Sequence, residues 1–235
     1  SYARDLGMTG TNYENATGWP GENHYSTAAD IATLARALID DFPEYYEIYS
    51  VKEFTYNEIR QYNRNKLLWQ DESVDGLKTG HTESAGYCLV SSADRDGMRL
   101  ISVVLGTDSK RARTSASRAL LNYGYRFFES PKLYDANTPI TTVRPYKGAF
   151  DELDLGVSKP LFAPVPRGRS GDLVVQPEVP KTILAPITDG QALGTLNILL
   201  DGEVITTAPL SALRAVPEGS LFQRLVDEVR LMIGQ

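Results

Sequence analysis

The sequence predicts an α+β unit over residues 1–130, a small all-β sandwich over 131–219 and an amphipathic helix over 220–235. Three observations lead there. An Asp-Gly turn joins two apolar runs, and helical patterns lie on either side of that hairpin. Proline divides the chain: of 13, Pro20 and Pro43 precede residue 131 and eleven follow from Pro131 on. Proline is excluded from helix interiors and central strands, so the later part should be rich in edges and turns.

Taken in order, "SYARDLGMTG" reads as the middle of a helix and its exit, so an upstream segment of the same protein is expected. "STAADIATLARALIDDFP" is a helix, opened by a capping-box-like pair, Thr27 and Asp30, and stopped by Pro43. Its apolar face is Ile31, Leu34, Ala35, Leu38 and Ile39. "SVKEFTYNEI" is extended. "GYCLVSSA-DRDG-MRLISVVLG" is a hairpin turning at Asp96-Gly97. Its second strand is nearly all apolar, which calls for helices on both faces of the sheet. "KRARTSASRALLNYGYRFFES" supplies one of them, with Ala119, Leu120, Tyr123, Phe127 and Phe128 as its apolar face.

In the second part, "TTVRPY", "DLVVQPE" and "KTILAPI" are short extended runs, and "TLNILL-DG-EVITTAPL" is a second hairpin with an Asp-Gly turn. The final helix sets Leu221, Phe222, Leu225, Val226, Val229, Met232 and Ile233 on one face, and Arg224, Asp227, Glu228 and Arg230 on the other.

Composition narrows the function classes. The chain is 42% hydrophobic and 23% charged, ordinary for a globular protein. No run of about 18 apolar residues is present to span a membrane. A net charge of −6 without a basic block argues against nucleic acid as a partner. The one cysteine, Cys88, excludes an intrachain disulfide, and its apolar neighbours predict a buried thiol. With two histidines, His24 and His81, this argues against a zinc cluster.

The candidate chemistry lies in "DGLKTGHT", residues 75–82. It precedes the hairpin and a helix, the setting of an edge strand that lines a cleft. Lysine supplies positive charge, threonine a hydrogen bond, and glycine lets another backbone approach closely. That set suits a ligand carrying a carboxylate. On the tripeptide Lys78-Thr79-Gly80 alone, the blander reading of an exposed strand end with a solvated lysine is favoured.

The wider residues shift that balance. "VDGLKTGHT", "AGYCLVSSA", "MRLISVVLG", "NRNKLLW" and "GYRFFES" together resemble the D-alanyl-D-alanine carboxypeptidases of the penicillin-binding protein 5/6 group. The resemblance continues through "VPRGR", "LDGEVI" and "VPEGSLFQRL", so it covers both parts of the chain. It implies a partial penicillin-binding/β-lactamase-like transpeptidase fold in the first unit. It also implies a serine acyl-transfer enzyme with three motifs, Ser-x-x-Lys, Ser-x-Asn and Lys-Thr-Gly. Here no serine has lysine three positions on or asparagine two positions on. The nucleophile, its lysine and the first strands of a five-stranded sheet are therefore expected upstream. Residues 1–130 are expected not to fold stably without them.

Carried over by position, the resemblance implies that Lys78 stabilises charge in the cleft and that Thr79 and Gly80 contact substrate. His81 is either a site residue, with a backbone NH near it in the oxyanion hole, or a structural histidine at the strand end. Arg113, before the helix, is expected to bind a terminal carboxylate, its other reading being a solvated arginine in a basic turn with Lys110 and Arg111, and Arg64 stands near the cleft, as a site residue or as structural support. The implied ligands are the peptidoglycan stem peptide and β-lactam antibiotics, with no cofactor or metal. The implied location is periplasmic, on the outer face of the cytoplasmic membrane. Peripheral membrane contact would come through the final helix, whose other reading is packing on the sandwich. A β-lactamase, or a non-catalytic peptidoglycan-binding protein of the same fold, are the alternatives.

Overall fold

The structure is a computed structural model and describes residues 2–233. The chain forms two compact units, Ser1–Phe127 and Phe128–Gln235.

The first unit opens with a single helical turn, α1 (Tyr2–Asp5), which exits through Gly7 in the left-handed region, φ 81°. Helix α2 (Ala28–Asp41) starts as the sequence predicts: the Thr27 side chain accepts a hydrogen bond from Asp30 N. The reciprocal half of the capping box is replaced, because the Asp30 carboxylate accepts the Thr11 hydroxyl at 2.6 Å. A short helix α3 (Pro43–Tyr46) follows, with Pro43 in its first turn.

The extended run after it is a hairpin, β1 (Glu53–Tyr56) and β2 (Ile59–Tyr62). It turns at Asn57-Glu58, both at positive φ, where neither Gly nor an Asp-Gly pair announces the turn.

The main sheet is antiparallel, β3 (Val74–Thr82), β4 (Gly86–Arg95) and β5 (Met98–Thr107), in that order. The hairpin turn is Asp96-Gly97, φ 54° and 81°, as expected for an Asp-Gly pair. Helices cover both faces, as the apolar strand requires. Leu77, Val90 and Ile101 pack with α2 residues Ala35, Leu38 and Ile39 and with Tyr46. On the other face Leu89, Ala93 and Leu100 pack with Leu121 and Tyr125 of helix α4 (Lys110–Phe127). Both β3 and β5 are edges among the described residues.

Helix α4 does not bury the face that its hydrophobic pattern predicts. Leu120, Tyr123 and Phe127 are exposed, and the inward stripe is Arg113, Thr114, Ser117 and Leu121. The reason lies in the sheet. Its facing surface carries Ser91 and Ser102, paired directly across β4 and β5, and small inward residues let the helix approach it.

The second unit centres on a five-stranded antiparallel sheet. Its strands are β6 (Pro139–Val143), β7 (Leu153–Gly156), β8 (Val174–Glu178), β9 (Ala192–Leu200) and β10 (Glu203–Ala212). The spatial order is β8-β9-β10-β7-β6. The β9–β10 turn is Asp201-Gly202 at positive φ. Leu153, Leu155, Leu196, Ile198, Leu210 and Val216 form its dry centre. Short two-stranded pairs close the far side, one of them parallel, between Ile183–Leu184 and Pro145–Tyr146.

The last described element is helix α5 (Leu221–Ile233), and it does not pack its apolar face on the sandwich. Leu221, Phe222, Leu225, Val229 and Met232 are all exposed. The inward anchor is Asp227, 6% exposed, whose carboxylate accepts Lys147 N at 2.6 Å and stands 3.4 Å from both Arg144 and Arg230. The expectations for the Ile233 side chain, and for residues 1, 234 and 235, lie outside the described residues.

Candidate active site

Strand β3 is positioned from behind by buried polar groups. Asn65, 1% exposed, donates to Gly76 O at 2.8 Å and accepts Leu67 N at 3.1 Å, capping the 3-10 turn Lys66–Trp69. Asn63 donates to Tyr49 O and Val51 O and accepts Asn65 N. The two asparagines of "NRN" thus point inward and leave Arg64 between them exposed. Tyr46 Oη donates to Asp75 at 2.8 Å, and Arg99 bridges Asp75 at 2.7 Å to Ser92 at 2.6 Å. Burial, with Asp75 adding to it, raises the Tyr46 pKa, so the phenol stays a donor.

On this support Lys78-Thr79-Gly80-His81 runs along the free edge, paired with Val90, Leu89, Cys88 and Tyr87 of β4. Lys78 Nζ donates to Thr79 O at 2.6 Å. Its stem borders an apolar recess of ≈ 250 Å³ lined by Ile31, Leu34 and Leu38 of α2, with Leu77 and Val90. Desolvation there, then the charges of Arg64 and Arg113, hold the Lys78 pKa below the usual lysine value.

Gly80 has room for a methyl group within this chain, since an added Cβ meets only Cys88 Cβ at an ordinary 3.7 Å. Gly76 has none, because a Cβ there runs into Tyr46 Oη. His81 stacks flat on Tyr87, with ring centroids 3.8 Å apart and planes 7° apart, and its Nδ1 lies 3.1 Å from Gly86 O. That contact calls for a proton on Nδ1, since a carbonyl oxygen only accepts.

Arg113 lies inside the first turn of α4, not in a turn before it, and is 4% exposed. Its Nη1 donates to Gly80 O at 2.9 Å and to Cys88 O at 3.3 Å, and its guanidinium sits 5.6 Å from the Tyr87 ring centre. The fork therefore braces two facing strands instead of standing free. Burial and the Arg64 charge lower its pKa. Cys88 is half-buried rather than buried, because it lies near the exposed end of the hairpin. The sequence reading missed Asn63, Asn65, Asp75, Tyr46 and Arg99. The repeated Asn of "NRN" and the Asp of "VDG" were the available signals.

Arg64, Lys78 and Arg113 have no ion-pair partner among the described residues, whereas Arg60, Arg95 and Arg99 of the same unit are each paired with a carboxylate. Lys78 on the edge strand, with exposed Arg64 and with Arg113 buried behind the strand, thus makes a positive region beside a hydroxyl and an open glycine. Such a site can receive a carboxylate and stabilise developing negative charge.

Residues 1–109 match the D-alanyl-D-alanine carboxypeptidase family, and residues 128–218 match the penicillin-binding protein 5 C-terminal domain. D-alanyl-D-alanine carboxypeptidase DacA of Escherichia coli K12 is 42% identical over 234 residues, covering 99% of this chain and 58% of that protein. DacC of the same strain is 42% identical over 236 residues, covering 100% and 59%. Penicillin-binding protein 5 from Haemophilus influenzae superposes with a TM-score of 0.78 at 40% identity, covering 92% of this chain and 64% of that one. The chain spans about three fifths of the length of the curated relatives it matches. Residues 1–109 therefore belong to the D-alanyl-D-alanine carboxypeptidase family and residues 128–218 to the penicillin-binding protein 5 C-terminal domain family, in a chain whose relatives at 42% identity run along its whole length.

Proposed function

We propose that the full-length protein is a serine-type D-Ala-D-Ala carboxypeptidase, acting on peptidoglycan stem peptides and acylated by β-lactams, and that this chain supplies the Lys-Thr-Gly wall of its site. One observation carries this reading: Lys78 on the β3 edge has no carboxylate partner among the described residues and feels the charges of exposed Arg64 and of Arg113 buried behind the strand, in a chain whose relatives are carboxypeptidases.

In this reading a serine from the upstream segment attacks the carbonyl between the two D-alanines. The D-alanine amine leaves, and water hydrolyses the acyl-enzyme. Lys78 and the Thr79 hydroxyl receive the substrate carboxylate, with Arg64 adding charge. Arg113 acts as a positioning residue: it clamps Gly80 O and Cys88 O from behind and adds to the field at the strand. Thr79 O accepts Lys78 Nζ, while Gly80 O lies under Arg113 between the strands. Backbone groups alternate along an edge strand, so His81 N–H turns to the open edge, where it can serve an oxyanion hole. The stacked His81 ring holds that strand end in place.

A location outside the cytoplasmic membrane goes with this substrate, and the exposed apolar face of α5 supports peripheral contact there. The test is D-alanine release from a short soluble pentapeptide by the full-length protein. Release should fall about 100-fold or more in Lys78→Ala. No release by the unsubstituted protein would leave the non-catalytic peptidoglycan-binding reading in its place.

A further inference from the structure

Helix α4 breaks a rule of helix electrostatics at its N-terminus. The positive end of a helix dipole favours acidic residues, yet α4 has none in its first turn and begins Lys110-Arg111. Both side chains are exposed and neither has an ion-pair partner among the described residues. They line a recess of ≈ 460 Å³ together with Lys66, Arg118, Gln70 and Ser115. No residue of its lining is acidic. Arg118 is held by a neutral partner, Gln70 Oε1, and Lys66 lies over the Trp69 ring at 4.8 Å.

This arrangement opposes folding stability. Four cations converge, two of them against the helix dipole, in a chain whose net charge is −6. A cluster that costs the fold and lacks internal compensation is best accounted for by an external anion. The recess also shares its two elements with the candidate site. Lys66 follows Arg64 and Asn65, and Lys110 and Arg111 precede Arg113.

We propose that this recess is a second, non-catalytic site that binds carboxylate groups of the polymeric substrate away from the bond being cut. The proposal rests on the peptidoglycan reading above, since a polymer of stem peptides repeats its carboxylates along its length. Lysine and arginine side chains of this kind hold carboxylates through charge-assisted hydrogen bonds. The recess is lined by none of the residues placed at the β3 edge, so its occupation by polymer is separable from the binding of a short peptide.

The experiment compares the full-length protein with a Lys110→Gln/Arg111→Gln/Arg118→Gln variant whose thermal midpoint is first shown to be unchanged. Both are sedimented with insoluble purified peptidoglycan, native or with its carboxylates amidated, and both are assayed on a short soluble pentapeptide. The variant should be retained about tenfold more weakly on native polymer. D-alanine release from the short peptide should change by less than about twofold. Retention of the unsubstituted protein should fall on amidated polymer, and also in about 0.5 M salt. Equal retention of variant and parent overturns the proposal, as does a parallel loss on the short peptide. Undiminished binding to amidated polymer also overturns it and points to a phosphate-bearing contaminant polymer. If the parent releases no D-alanine from the short peptide, the catalytic reading fails, while the retention measurements still decide the recess.

Discussion

Two glycines four residues apart on β3 serve different ends. Gly76 is required by the fold, because any side chain meets Tyr46 Oη, and Gly76→Ala should cost about 1–3 kcal/mol of stability. Gly80 is not required by the fold, since a methyl fits against Cys88 at 3.7 Å. Gly80→Ala should leave stability within about 0.5 kcal/mol. It should slow turnover and β-lactam acylation by about 10–100-fold, because the methyl would project into the ligand's place in the proposed reading. Thermal melts beside acylation rates check the pair, and a Gly80→Ala variant that melts early but reacts normally would reverse the assignment. Lys78 offers a second check. Desolvation and the Arg64 and Arg113 charges depress its pKa, so it loses its proton at lower pH than an ordinary lysine. The alkaline limb of kcat/KM should therefore lie below the unperturbed value of 10.5. Removing a neighbouring charge in Arg64→Gln should move that limb to higher pH, and a limb that stays in place would detach it from Lys78.

Elements show where pattern reading succeeds and where it stops. The Asp-Gly hairpins, α2 and its Thr27 cap follow from local chemistry and appear as expected. The β1–β2 turn does not, because Asn57-Glu58 adopts positive φ without a glycine to mark it. Helix α4 shows the deeper limit. Its hydrophobic stripe is legible, but its inward stripe is chosen by the serine-rich sheet it meets, and that partner surface is a tertiary fact. The same holds for α5, where the amphipathic pattern is plain but which face turns inward is set by Asp227 and its contacts. The outward apolar face makes a prediction. Phe222→Asp with Leu225→Asp should weaken binding of the full-length protein to lipid vesicles about tenfold or more, with D-alanine release unchanged. Asp227→Ala should loosen the helix, read as faster amide exchange at Lys147 and along α5. Vesicle binding indifferent to the apolar face would assign that surface to another partner.

At the scale of the molecule, the sequence exposed the Lys-Thr-Gly strand and its cations but not what holds them. Asn63, Asn65, Asp75, Tyr46 and Arg99 act only once distant segments meet, so spacing along the chain could not assign them. Arg113 stood out in the sequence as a candidate, yet its clamp on Gly80 and Cys88 depends on the register of β3 against β4. The central claim joins these parts: β3 is the substrate-side wall of a penicillin-sensitive cleft, and its charge is what that cleft uses. Labelling of the full-length protein by a fluorescent penicillin tests it most directly. A single covalently labelled species, with labelling slowed about 100-fold or more in Lys78→Ala at unchanged thermal stability, is the predicted result. An unlabelled protein, or a Lys78→Ala variant labelled as fast as the parent, would contradict it.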